Sequence, residues 1–289
     1  MPAPRSTGLA GLDAQNDFMR QRRRAVLARL AARLRGEPDD VGVVLPYDEV
    51  IEALGFVSER PLGLHVVQVD SIVGSVDRGR DFDRRFRPTS GRLRSRWEQI
   101  AAAVRRGEPL PPVDLLRIGE THFVRDGHHR VSVARALGLG DIDAYVTEVR
   151  TKVGASTTIT HADLPLKSHQ REFAERVPLP RDEAAEIQLS DPWHYPLLAE
   201  AIEAWGFRAM LDRQEPLDRE QAARLWFETE YRPVVAMLRE ADLIGDGTDA
   251  DTYMRLTAER YRLLRTTRWD EQVVEQLLSR QRGRGARTP

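Results

Sequence analysis

The run Asp126-Gly127-His128-His129-Arg130 concentrates one carboxylate, two imidazoles and one guanidinium around a glycine. Val131-Ser132-Val133-Ala134-Arg135-Ala136-Leu137-Gly138 follows at once and reads as a helix with a glycine stop. A helix start offers backbone N–H groups and the positive end of the dipole, so it suits an anion such as phosphate. Gly127 lets the backbone approach a ligand, and Arg130 can grip phosphate oxygens in a fork. Gly127, His129, Arg130 and Ser132 are therefore the candidate phosphate-binding residues here, with Asp126 and His128 as candidate catalytic groups. The alternative reading is structural, with Asp126 capping the helix and the histidines satisfied locally. A metal at His128-His129 is disfavoured, because adjacent helical side chains diverge.

A loop rich in glycine, aspartate and arginine, from Gly74 to Asp83, is expected to face this cradle. Arg78 and Arg80 are its candidate phosphate ligands. If the segment is extended, Asp81 and Asp83 point the same way and could hold Mg²⁺. The competing view is that Asp81, Asp83, Arg84 and Arg85 form a solvated charge run. Phosphoryl transfer is mostly positioning and charge neutralisation, for which a carboxylate-held Mg²⁺, an arginine and backbone N–H groups suffice. The base could be Asp126 or a loop aspartate; the residues leave that choice open.

The elements that must position these groups read as a small α+β unit. A short helix is expected over Tyr47–Gly55, a strand over Leu64–Val69, and a helix with Leu93, Trp97, Ile100, Ala101 and Val104 on its buried face, stopped by Gly107. An extended Leu110-Pro111-Pro112 leads into a strand at Val113–Ile118, a turn at Gly119-Glu120, a strand at Thr121–Arg125 and, after the glycine helix, a strand at Ile142–Val149. Past Gly154 only helical patterns remain: Leu164–Val177, Pro192–Leu211, Asp218–Leu243, Asp249–Thr266 and Trp269–Arg282. Asp218 with Gln221 resembles a capping box, and Pro233 should kink or break its helix near Tyr231. Ahead of all this, residues 1–15 read as mobile. Asp17–Gly36 reads as a helix docked through Val26, Leu27, Leu30 and Leu34, and seven arginines (20, 22, 23, 24, 29, 33 and 35) cover the rest. The expected divisions are 1–57, a basic helix and connector; 58–153, the small α+β domain that carries the phosphate cradle; and 160–282, an all-α helical domain.

Composition bounds the function. Of 289 residues, 41% are hydrophobic and 31% charged, and the net charge is −1, which fits a globular protein and not a globally basic nucleic-acid binder. The absence of cysteine excludes thiol catalysis and zinc–thiolate sites. Lysine occurs only at Lys152 and Lys167, neither preceded by glycine, so there is no Walker loop. No apolar run approaches the ~20 residues of a membrane span, and no signal peptide is recognisable, so no membrane partner and a cytoplasmic location are expected.

From Val69 to Val149 the order of strand, Ile72-Val73-Gly74 loop, helix, Leu110-Pro111-Pro112-Val113, hairpin and Asp126-Gly127-His128-His129-Arg130 resembles the ParB/sulfiredoxin superfamily domain. That resemblance implies a small mixed-sheet fold and a nucleotide ligand (ATP, ADP or CTP) with Mg²⁺. Gly127, His129 and Arg130 match the sulfiredoxin run, but His128 stands where its cysteine would be, so sulfiredoxin activity is not implied. Against the Gly-Glu-Arg-Arg of ParB, His128 and His129 replace Glu-Arg. The free serine kinases carry a closely similar run. Arg78 or Arg80 resembles the arginine of the ParB loop. The C-terminal part is similar to an uncharacterised bacterial helical domain, on Trp226, Tyr231-Arg232-Pro233-Val234 and Asp249-Ala250-Asp251-Thr252-Tyr253, and no helix-turn-helix is apparent. The function implied is nucleotide binding with phosphoryl transfer or NTP hydrolysis. The alternatives are a nucleotide-switched DNA-associated regulator and a scaffold whose helical domain grips a protein partner.

Overall fold

The computed structural model of the chain describes residues 7–36, 42–77, 81–155, 159–244 and 247–264, together with Trp269, Gln272, Val273 and Gln276. The chain divides into two compact units, residues 1–167 and 168–289. The first is a mixed α/β unit and the second is helical, so the coarse fold class is α+β, as the sequence suggests.

The first unit is built on six strands: β1 (Leu45–Pro46), β2 (Phe56–Gln68), β3 (Ile72–Ser75), β4 (Val113–Ile118), β5 (Thr121–Asp126) and β6 (Asp141–Thr151). They lie in the order β1-β3-β5-β4-β6-β2. The β1/β3, β3/β5 and β4/β6 pairs are parallel; β4/β5 and β2/β6 are antiparallel. Strand alternation sends successive side chains to opposite faces. Val113 and Leu115 of β4 enter one core, with Val124, Ala144 and Val146. Leu116 and Ile118 enter the other, with Phe123 and Val149. Both faces must therefore be covered. The helices α1 (Ala10–Leu34), α3 (Arg94–Arg105) and α4 (His128–Leu137) supply side chains to the first core, and α2 (Tyr47–Leu54) to the second. The strand read at Leu64–Val69 begins earlier, at Phe56, and Val69 belongs to a 3₁₀ turn. Its first half lacks the expected signal because β2 is an edge strand exposed along most of its length.

The largest correction concerns α1. The helix starts at Ala10, so residues 10–15 are ordered helix and not a mobile arm. It docks through Asp13, Ala14, Asp17, Phe18, Gln21 and Ala25, whereas Val26, Leu27, Leu30 and Leu34 are all more than half exposed. Phe18 meets Trp97 of α3 edge to face at 5.6 Å. Arg105 of α3 donates to Asp17 through Nε at 2.9 Å and Nη2 at 2.5 Å. Asp17, with Asp13 3.9 Å from the same guanidinium, forms the polar half of this helix–helix contact.

The second unit is helical throughout its described residues. The boundary between units falls inside α5 (Leu164–Arg176), and α6 (Arg181–Glu186), α7 (His194–Arg213), α8 (Arg219–Trp226), α9 (Arg232–Glu240) and α10 (Asp249–Leu264) follow. The Asp218/Gln221 capping box forms at the start of α8. Pro233 acts as expected. Lacking an N–H, it is preceded by a π-helical turn at Phe227–Tyr231 that joins α8 to α9. Trp226, Tyr231 and Tyr253 cluster within 5.2–6.0 Å and are buried. The helix read at Trp269–Arg282 lies almost entirely outside the described residues.

Candidate phosphate site

β3 and β5 run parallel, with Ser75 opposite Val124, so their carboxyl ends lie side by side. Ligands of open parallel sheets bind at such ends. β5 ends at Asp126 and α4 begins at His128. The single residue between them must reverse the chain. Gly127 does so at φ 101°, and a Cβ on it would lie 2.6 Å from Cγ1 of Val113 and 2.9 Å from its Cβ. Both the backbone angle and the space require glycine here. The first helical hydrogen bond of α4 runs from Val131 N–H to the carbonyl of Gly127 at 3.0 Å. The N–H groups of His128, His129 and Arg130 precede it and form the helix's donor end.

Asp126 does not cap the helix: Gly127 occupies the cap position with no side-chain bond to it. The Asp126 carboxylate is largely exposed and instead accepts from Nη2 of Arg130 at 2.7 Å. Nη1 of Arg130 donates to the carbonyls of Pro111, at 3.1 Å, and Pro112, at 2.5 Å. The guanidinium is thus seated at the mouth, tethered to the connector before β4, with Nη2 shared by a solvent-facing carboxylate.

His128 and His129 are both buried. Nε2 of His128 lies 2.7 Å from the hydroxyl of Ser75, itself buried at the end of β3. Phe82 explains the rest of their burial. Its ring stacks on His128 at 6.3 Å and meets His129 edge-on at 5.5 Å. The carboxyl end of the candidate loop therefore folds down onto the first turn of α4. Ser75 and Phe82 were the residues sequence reasoning missed. The signal lay in the strand–loop–aromatic order around Gly74, where Gly74 itself is packed against Phe123 too closely for any Cβ.

Ser132 is not at the mouth. It is buried one turn into α4 and accepts from Nε1 of Trp97 at 2.8 Å, fixing α4 to α3. Arg135 anchors the same helix, donating from Nη2 to the carbonyls of Val69 and Ile72, with its guanidinium 5.2 Å over the Phe86 ring. Burial pulls its pKa below the ordinary value, partly offset by Asp70 and Asp83.

Of the two carboxylates expected to hold Mg²⁺, Asp83 is engaged within its own loop, accepting from the N–H groups of Arg85 and Arg87 and from Nε of Arg87 at 2.7 Å. It is neither a solvated charge nor an open ligand. Among the described residues no cluster of three or more metal-ligating side chains occurs. Arg78 and Arg80 lie outside the described residues. The second unit holds a separate small cleft, about 140 Å³, lined by Val177, Ile202, Gly206, Phe207 and Met210 among others. It is mainly apolar, and its rim carries Arg219 and an Arg176 whose guanidinium is engaged by Glu203 at 2.9 Å. No helix among the described residues is long and apolar enough to cross a membrane.

Comparison with known protein families, with curated proteins and with solved structures returned no match in any of the three.

Proposed function

We propose that the first unit is a ParB/sulfiredoxin-like domain that binds the phosphates of a nucleotide at the amino end of α4. The observation that carries this reading is Gly127. A left-handed glycine with no room for a Cβ opens a helix at the carboxyl end of a parallel strand, beside an arginine. That arrangement presents backbone donors and a guanidinium to one anion. Asp126 has a defined part in it. It holds Nη2 of Arg130 at 2.7 Å, and an incoming phosphate competes for that donor. A residue so placed is also the candidate base for a hydroxyl or water, since it is exposed at the mouth where Asp83 is not. Because Asp83 is engaged by Arg85 and Arg87 of its own loop, no catalytic step is assigned to a Mg²⁺ held there.

Calorimetric titration of the full chain with ATP, ADP, CTP and GTP, each with and without Mg²⁺, tests the proposal. Binding of at least one nucleotide is expected, weakened by Arg130→Ala by about 1.5–3 kcal/mol, the worth of a charge-assisted hydrogen bond. If none binds to the wild type, the proposal is wrong. Phosphoryl transfer is tested separately: Asp126→Asn should retain binding while losing any turnover.

A further inference from the structure

Among the described residues, helix α1 packs one mixed face against its own unit and leaves a second, apolar strip exposed. Ala14, Phe18, Gln21 and Ala25 lie on the face against α3. On the opposite side of the helical wheel stand Leu12, Met19, Val26 and Leu30, with exposures of 49%, 54%, 58% and 54%. Their spacing is that of a heptad seam. Leu9, Asn16, Arg23 and Leu30 recur every seventh residue, and Leu12, Met19, Val26 and Arg33 recur three residues after each. Every one of these positions is exposed. Leu27 and Leu34 widen the apolar strip at the carboxyl end of the helix, where Leu34 reaches 81% exposure.

The charges beside the seam say what it can accept. No acidic residue follows Asp17 through Arg35: Arg23 and Arg33 lie in the seam itself, Arg22, Arg29 and Arg20 (the last paired with Asp17 at 2.7 Å) flank it, and Arg24 and Arg35 lie away from it on the wheel. A second copy of α1 would place arginine against arginine at the flanks and, in a parallel pair, at the Arg23 layer, so self-pairing is repelled. A nucleic acid would match the arginines and leave the exposed leucines without a role. A bilayer surface would use both, yet has no need of a repeat interrupted by Asn16 and Arg23. Polar residues at such seam positions select a helical partner's register and orientation. An acidic helix supplies apolar side chains for Leu12, Met19, Val26 and Leu30 and carboxylates for the arginines.

We propose that the exposed seam of α1, from Leu12 to Leu34, is a docking surface for an amphipathic acidic helix of another protein. It is independent of the phosphate site and survives even if that site binds nothing. The seam's side chains make little contact with the rest of the first unit, so substitutions there should leave folding intact.

The test uses the full-length protein and two fluorescent synthetic peptides of about four heptads, both with leucine along the seam. One carries glutamate at the flanking positions and the other lysine. Fluorescence anisotropy should show the glutamate peptide bound about ten-fold or more tightly than the lysine peptide, with affinity falling as salt rises. Val26→Glu combined with Leu30→Glu should weaken glutamate-peptide binding at least about ten-fold, and Arg23→Glu alone should weaken it too, with unchanged thermal melts. Equal affinity for the two peptides, or no binding of either, overturns the proposal without recourse to any variant. So does binding that neither substitution alters. Retention on anionic phosphatidylglycerol vesicles or duplex DNA, or dimer formation in sedimentation, with no preference for the acidic peptide, would assign the face to that occupant instead and likewise overturn it.

Discussion

The hydroxyl of Ser75, at the carboxyl end of β3, lies 2.7 Å from Nε2 of His128, the first residue of α4, and both side chains are buried. This contact joins the end of one parallel strand to the helix that starts from its neighbour. It holds the donor end of α4 against the sheet. Ser75→Ala removes the hydroxyl 2.7 Å from this buried imidazole nitrogen, at an expected cost of about 1–3 kcal/mol by denaturant unfolding. The same variant should bind nucleotide more weakly than a control such as Ser58→Ala on the exposed part of β2. Equal binding by the two would remove Ser75 from any positioning role.

Gly127→Ala combines a left-handed backbone with a contact to Val113 that nothing flexible can relieve. A loss of about 2 kcal/mol or more is expected, and the melting temperature should fall accordingly. Adding Val113→Ala to the variant should recover part of that loss, because the steric part of the penalty resides in the valine side chain. Absence of any recovery would mean that the backbone angle alone sets the cost.

The two faces of α1 give opposite expectations. Phe18→Ala removes a fully buried ring that packs on Trp97 and should cost about 3–5 kcal/mol. Leu30→Asp, on the exposed face, should change stability by no more than about 0.5 kcal/mol. Chemical denaturation of the two variants beside the wild type decides the docking face directly.

His122 on β5 has its pKa lowered to about 4, chiefly by burial and secondarily by Arg117. The Ser71 hydroxyl donates to the carbonyl of Gln68 at 2.7 Å, which leaves its oxygen to accept from Nδ1–H of His122 at 2.9 Å. The folded state therefore keeps a neutral imidazole where the unfolded chain takes up a proton. The sign follows: this contribution is intact above the unfolded value near 6.5 and is lost as pH falls toward about 4, to a limit of about 3 kcal/mol. Unfolding free energies of wild type and His122→Gln between pH 7 and 4 should converge as the medium acidifies, provided the variant folds. Parallel curves would refute the assignment.

Much of the first unit was legible because its signals are local. Glycine turns, the Pro111-Pro112 connector and the alternation of Val113–Ile118 each act within a few residues, and the structure places β4, β5, α3 and α4 where those signals point. The helix start at Gly127 was legible for the same reason. What was not legible depends on partners distant in sequence. The docked face of α1 is chosen by Trp97 and Arg105, which lie about 80 residues away. Leucine outranks alanine in any apolar count, so the wrong face stood out. The commitments of Asp83, Ser132 and Arg130 are likewise set by contacts to backbone or to another helix, and residue type alone makes each look available.

The strand order has a consequence for synthesis. β2 lies at one edge of the sheet and pairs only with β6, its register running from Phe56 opposite Thr151 to Gln68 opposite Asp141. During elongation, residues 56–68 leave the ribosome long before any partner for them exists. The antiparallel β4–β5 hairpin closes across a short turn and can form first, whereas β2 waits for roughly the last strand of the unit. Arrested nascent chains that expose residues only through Asp126 should consequently leave β2 open to protease, and those extending past Thr151 should protect it. An edge strand with a late partner makes completion of the sheet an event timed by chain length.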